Sequence, residues 1–274
     1  MSTTPLRFLR YPGGKQRILD FLLKYLPDRD HIKGRFVEPF VGGGAIFFAL
    51  NPKKALLADV NPELIDLYRG IRRHAEVVWE KYRGFPSSKK GYYKIRGLEH
   101  DDLSLAEKAA RTLFLNRTCF KGMWRHNSSG QFNVGYGGQD RRWSVDSDGL
   151  ITVGSMLRRT VLRCGDFEDV IDECTPGDYL FLDPPYRPGE KDMPHDHYAW
   201  SFFRYVDHER LAKCLRAATK RKVKWAITTT SHADVLKLFR GNYTIALPRG
   251  TGGQPGLLAK NTGEVLIRNH EGLP

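Results

Sequence analysis

This sequence of 274 residues has no long apolar run. Nothing in it approaches the ~18 consecutive apolar residues that a bilayer-spanning helix needs, and no apolar stretch follows Arg7 and Arg10 near its start. A soluble, unprocessed cytoplasmic protein with no membrane partner is expected. Cysteine is scarce too. Cys119, Cys164, Cys174 and Cys214 are scattered, with no C-x-x-C pair among them, which excludes a metal site of that kind and a dense disulfide framework. No Gly-x-Ser-x-Gly elbow occurs, so a Ser/His/Asp hydrolase is excluded as well. His195, Asp196 and His197 lie together, but such a pair more often faces solvent than binds a metal, and no metal is expected. Acidic residues are in deficit: 31 stand against 44 lysines and arginines, a net charge of +13.

What is present is ample apolar material, 41% hydrophobic and 12% aromatic, for one α/β core with a sizeable insertion. The positive charge is unevenly placed. Between Arg69 and Arg163 stand 19 lysines and arginines against 9 acids, 10 of the 13 excess charges. Clustered charge of this kind suits a polyanion, because each phosphate neutralised releases condensed counterions. A solvated basic surface has the same composition.

Strand-like and helix-like segments alternate on either side of that region. Arg35 to Phe40 is an apolar run ending in Gly42-Gly43-Gly44, and Ala45 to Leu50 reads as a short helix. Ala55 to Ala58 is a second strand that ends at Asp59, and Pro62 opens a helix running to about Tyr82. The rhythm resumes with a strand at Val161 to Arg163, a helix from about Phe167 to Glu173 and a strand at Tyr179 to Asp183. A helix from Asp207, a strand at Lys224 to Thr228, a helix capped at Ser231, and a hairpin of Tyr243 to Leu247 with Val265 to Arg268 complete the pattern. A parallel α/β sheet is predicted, built from residues 1–83 and 161–274. Residues 84–160 form an insertion, in which the capping box Ser104-Leu105-Ala106-Glu107 starts a helix to about Asn116.

Five places carry chemistry. In the loop from Val37 to Gly44, with Glu38, Phe40, Gly42 and Gly44, glycines let the backbone approach a bound nucleoside or amino acid, although a plain turn uses the same residues. Asp59, ending the next strand, can accept both ribose hydroxyls of an adenosine or cap the helix that follows. Tyr11-Pro12-Gly13-Gly14-Lys15 leads into a helix predicted over Gln16 to Leu26, whose first N–H groups together with Lys15 suit a carboxylate; an ordinary Pro-Gly turn is the alternative.

Asp183-Pro184-Pro185-Tyr186 is more specific. Its carboxylate and a neighbouring prolyl carbonyl present two acceptors that match the two hydrogens of an exocyclic amine, and no backbone N–H competes. Accepting both hydrogens draws the nitrogen lone pair out of conjugation and makes it a nucleophile toward a sulfonium methyl. Tyr186 can stack on the base. Within the insertion, Arg117, Phe120, Lys121, Met123, Arg125, Asn127 and Asn133 interleave side chains that read base edges with side chains that wedge into a stack. A satellite core with exposed basic residues is the competing reading.

Taken in order, these motifs resemble the Dam-type DNA adenine-N6 methyltransferases, of the D12 class, over nearly the whole chain. The resemblance rests on Phe8-Leu9-Arg10-Tyr11-Pro12-Gly13-Gly14-Lys15, the Glu38 loop, Ala58-Asp59-Val60-Asn61, the Asn116 to Val134 block and the Asp183 loop. It implies a Rossmann-like, seven-stranded methyltransferase sheet with a mainly helical target-recognition insertion. It also implies S-adenosylmethionine as cofactor and double-stranded DNA whose target adenine is flipped out. By the same resemblance Tyr11, Lys15, Asp59 and Asp183 contact the cofactor, and Asp166 and Phe167 border its adenine. Arg10 and Arg125 read bases, and Phe120 and Met123 touch bases or fill the vacated stack. Lys121, Cys119 and Gly135 stand where Asn, Gly and Pro are common, which bears on the recognition sequence, GATC by default. Such an enzyme acts alone or beside a cognate restriction endonuclease in a separate chain. Two other classes remain open at this point: a cytosine-N4 or RNA amine methyltransferase, and a non-catalytic DNA-binding module.

Overall fold

The computed structural model describes residues 8–11, 13–127, 129–185, 203–248 and 263–272. Among them, seven strands form one sheet: β1 (Phe36–Glu38), β2 (Ala55–Asp59), β3 (Thr160–Cys164), β4 (Tyr179–Leu182), β5 (Lys224–Thr230), β6 (Tyr243–Ala246) and β7 (Glu264–Arg268). Their order is β3-β2-β1-β4-β5-β7-β6. The first five run parallel, and β7 is antiparallel to both β5 and β6. This is the Rossmann-like methyltransferase arrangement implied above, and the terminal hairpin pairs as predicted.

Parallel strands need cover on both faces, and these alternate accordingly. Phe36, Leu57 and Phe181 join one apolar cluster, while Val37, Leu56 and Leu180 join the other. The second face is covered by α7 (Phe167–Asp172), α8 (Tyr205–Lys220) and α9 (Ala233–Leu238). The first carries α1 (Leu19–Leu23), α2 (Ala45–Leu50) and α3 (Pro62–Gly84), then α4 (Lys89–Arg96), α5 (Leu105–Thr118) and α6 (Ser147–Leu157). Helix α3 links the sheet to the segment after it. Asn61 caps its start by accepting from the N–H groups of Glu63 and Leu64, with Pro62 at the first helical position. Further along, a Cβ on Gly70 would collide with Ala109 Cβ, so glycine permits the close packing of α5 on α3. No helix among the described residues is long and apolar enough to cross a membrane.

Two expectations need correction. The helix predicted over Gln16 to Leu26 is a 3-10 turn, Lys15–Arg17, followed after Ile18 by the short α1. Two glycines precede it and no side chain caps it. Helix α9 is capped by His232, whose Nδ1 accepts the Asp234 N–H, rather than by Ser231.

Candidate active site

The direction of the chain reverses between β1 and β4, since β2 and β3 lie to one side and β5 to the other. Ligands of open α/β sheets bind in the crevice at the carboxyl ends of such strands. Glu38 ends β1, Asp59 ends β2 and Asp183 follows β4, so three acids converge there.

Each acid is held differently. Glu38 is 3% exposed, and among the described residues its Oε2 has no hydrogen-bond partner. Burial pushes its carboxyl well above the usual range, and the neighbouring Asp183 adds to the shift. Asp59 accepts the Gly42 N–H on Oδ2 at 3.1 Å and the Asn61 N–H on Oδ1 at 3.0 Å. Burial raises its pKa to about 6, against the pull of those N–H groups. Capping α3 therefore falls to Asn61, while Asp59 ties the glycine loop to β2. Asp183 is half-buried, and the Lys15 ammonium lies 2.7 Å from its Oδ1. The Thr228 hydroxyl, from neighbouring β5, donates to the same oxygen at 2.5 Å.

The glycine loop makes room for an aromatic ring. Gly42 and Gly44 have φ of +45° and +64°, and a Cβ on Gly42 or Gly43 would meet the Tyr11 side chain at 2.9 or 3.1 Å. Tyr11 thus lies over the loop, with Trp124 5.6 Å beyond it. On the far side, Phe40 packs on Phe167 at 5.4 Å, and Asp166 caps α7. Arg210 joins this wall: its guanidinium lies 4.7 Å from the Phe167 ring centre and 2.6 Å from Asp166 Oδ1. Pro184 is buried and Pro185 half-buried; Tyr186, with His195, Asp196 and His197, lies outside the described residues.

The residues expected to meet DNA divide into two groups. Phe120 is 48% exposed and Lys121 is exposed beside it, with backbone φ of +54° and its ammonium over the Phe120 ring. Arg125 is half-buried and donates from Nε to Asn133 Oδ1 at 2.8 Å. Met123 is half-buried, and Asn127 closes a turn by accepting from the N–H groups of Ser129 and Gln131. Arg117 is 4% exposed and donates to the Arg141 carbonyl, which places it inside the fold. Arg10 is anchored by its backbone: the Asn116 side chain accepts its N–H at 2.9 Å and donates to its carbonyl at 2.6 Å. Of the three unusual positions, Cys119 is buried, with its thiol directed to the Met123 carbonyl, and only Lys121 is exposed.

Sequence reading did not single out Thr228, Arg210 or Asn116 as site residues. The sheet order would have found Thr228, because β5 lies beside β4; the other two are supplied by packing alone.

Residues 11–247 match the family described as D12 class N6 adenine-specific DNA methyltransferase. The chain is 30% identical to a type II methyltransferase, M1.LlaDCHI, of Lactococcus lactis subsp. cremoris, covering 96% of this chain and 95% of that protein. It is 32% identical to the type II methyltransferase M.MjaIII of Methanocaldococcus jannaschii, over 85% and 88%. It is 29% identical to a DNA adenine methylase of Haemophilus influenzae, over 78% and 76%.

Proposed function

We propose, for a chain that belongs to the D12 class of N6 adenine-specific DNA methyltransferases, that the methyl group placed on adenine comes from S-adenosylmethionine and that the target base is flipped out of the duplex to reach Asp183. The observation that supports this reading is the Asp183 carboxylate at the end of β4, whose Oδ1 is engaged by both Lys15 and Thr228. A carboxylate steadied on one oxygen, followed by two prolines, suits an amine with two hydrogens to give.

The pocket also suits the cofactor. Among the described residues the acids Glu38, Asp59 and Asp183 stand around one lysine, and the Oε2 of Glu38, without a partner there, calls for a donor. A ligand bearing an ammonium and a sulfonium answers both features. When bound, S-adenosylmethionine supplies an electrophilic methyl group. Asp59 would take its ribose, Tyr11, Lys15 and the loop residues Gly42 and Gly44 its amino-acid end, and Phe40, Asp166 and Phe167 its adenine. Asp183 and the Pro184 carbonyl accept the amine hydrogens, and the surplus proton leaves after transfer. No strong base is required. Positioning of this kind is worth ~7–11 kcal/mol, against a few kcal/mol for extruding a base.

Residues 84–160 serve in this reading as the target-recognition subdomain, presenting Arg125, Lys121, Phe120 and Met123 together with Arg10. GATC, from the family resemblance, is the recognition sequence to test first. The test is to treat genomic DNA free of N6-methyladenine with the protein and S-adenosylmethionine and to map the modified bases. N6-methyladenine at one short sequence is the expected result; methylated cytosine, or no transfer to DNA, contradicts it.

A further inference from the structure

The segment that carries Arg125 is a small hairpin. Asn133 donates its N–H to the Arg125 carbonyl at 3.0 Å, Asn127 donates its N–H to the Gln131 carbonyl at 2.9 Å, and His126 and Phe132 form an antiparallel bridge. Alternation along such strands sends neighbouring side chains to opposite faces. Arg125 and Asn133 are half-buried and bond to each other on one face, while His126 and Phe132 are buried on the other, 5% and 6% exposed.

What His126 meets beneath the hairpin is an acid. Its Nε2 lies 3.2 Å from Oε2 of Glu63, the second residue of α3. Glu63 is 6% exposed, and its Oε1 takes Arg111 of α5 at 3.2 Å, with His100 at 3.8 Å. Burial opposes ionisation of Glu63, but His126, Arg111 and His100 together hold it below the ordinary value. The same glutamate is joined to the acid edge of the sheet. Its N–H reaches Asn61 Oδ1 at 3.0 Å, the Asn61 N–H reaches Asp59 Oδ1 at 3.0 Å, and the Gly42 N–H reaches the other Asp59 oxygen at 3.1 Å.

We propose that His126 and Glu63 are a positioning pair for target recognition: the buried carboxylate fixes the inner face of the hairpin to the start of α3 and so aims Arg125 at the DNA in register with the cofactor pocket. The inference rests on the reading that Arg125 faces the duplex. Neither residue of the pair touches the substrate. Their effect falls on how DNA is held, because a recognition side chain misplaced by about 1 Å costs far more than the contact that placed it.

The test uses the full-length protein and a duplex carrying its preferred site, with single-base variants of that site as competitors. His126→Phe keeps a ring against Phe132 but removes the donor to Glu63, and His126→Gln restores a donor. Expected for His126→Phe is a KM for DNA raised about tenfold or more and discrimination against one substituted base pair reduced about tenfold. Its kcat should stay within about threefold, and its affinity for S-adenosylhomocysteine within about twofold. His126→Gln should recover part of both losses. An unchanged KM and discrimination would overturn the pair, as would an equal fall in kcat, DNA affinity and cofactor affinity. Should His126→Phe fail to fold, Glu63→Gln provides the same readouts with the histidine in place. Failure of the wild type to methylate DNA would instead sink the functional reading itself.

Discussion

Lys15 and Asp183 are joined by a 2.7 Å ion pair between a nearly buried ammonium and the acid at the end of β4. The pair ties the 3-10 turn Lys15–Arg17 to the end of β4, and the same ammonium donates to the Gly13 carbonyl at 3.1 Å.

Thr228 should matter to catalysis through Asp183. A hydrogen bond to a charged group contributes about 1.5–3 kcal/mol, so Thr228→Val is expected to lower kcat by roughly ten- to a hundredfold. Affinity for S-adenosylhomocysteine should change little. Steady-state kinetics beside a cofactor titration separate the two effects.

In its proposed role as ribose acceptor, Asp59 should link cofactor affinity to pH. Its folded pKa of about 6 lies above the ordinary 3.8, so the folded protein holds the extra proton between those values. This group's contribution to stability is therefore greatest below pH 4 and declines as pH rises through 6, by about 3 kcal/mol in all. Binding runs the other way, because ribose hydroxyls need the ionised acceptor. Calorimetry with S-adenosylhomocysteine should show affinity level above pH 7 and falling up to about tenfold per unit below pH 6.

Arg142 should matter to stability alone. It is fully buried, and its Nη2 donates to the carbonyls of Tyr82, Arg83 and Phe85 at the end of α3. These are groups that a helix terminus leaves unsatisfied. Arg142→Met removes this donor from all three, with an expected loss of about 3–5 kcal/mol in urea unfolding.

The sheet was legible because buried parallel strands are short apolar runs, and Ala55 to Asp59 or Tyr179 to Asp183 need no tertiary context to be recognised. Asp183 was legible for the same reason, standing where such a run stops. Helix α4 was not: Lys89 to Arg96 is polar and contains Gly91, and it is held by Tyr92 and Ile95 buried in the core it shares with α5. Charge counting also blurred the proposed DNA face. Arg111, Arg117 and Arg142 belong to the basic segment, yet all three are buried and bond to backbone carbonyls.

On that face, Arg125→Ala should relax selection at one base pair by about 1–3 kcal/mol. Lys121→Ala should act differently if its ammonium meets phosphate, lowering affinity for all duplexes and reducing the salt slope by about one. Binding titrations over a range of salt, with the preferred site and its variants, distinguish the two.

The central claim is that the Asp183 carboxylate makes the adenine amine reactive, and single-turnover methyl transfer by Asp183→Ala tests it most directly. With S-adenosylmethionine and duplex DNA both saturating, transfer to adenine should be abolished while much of the affinity for DNA remains. Turnover near that of the wild type would contradict it.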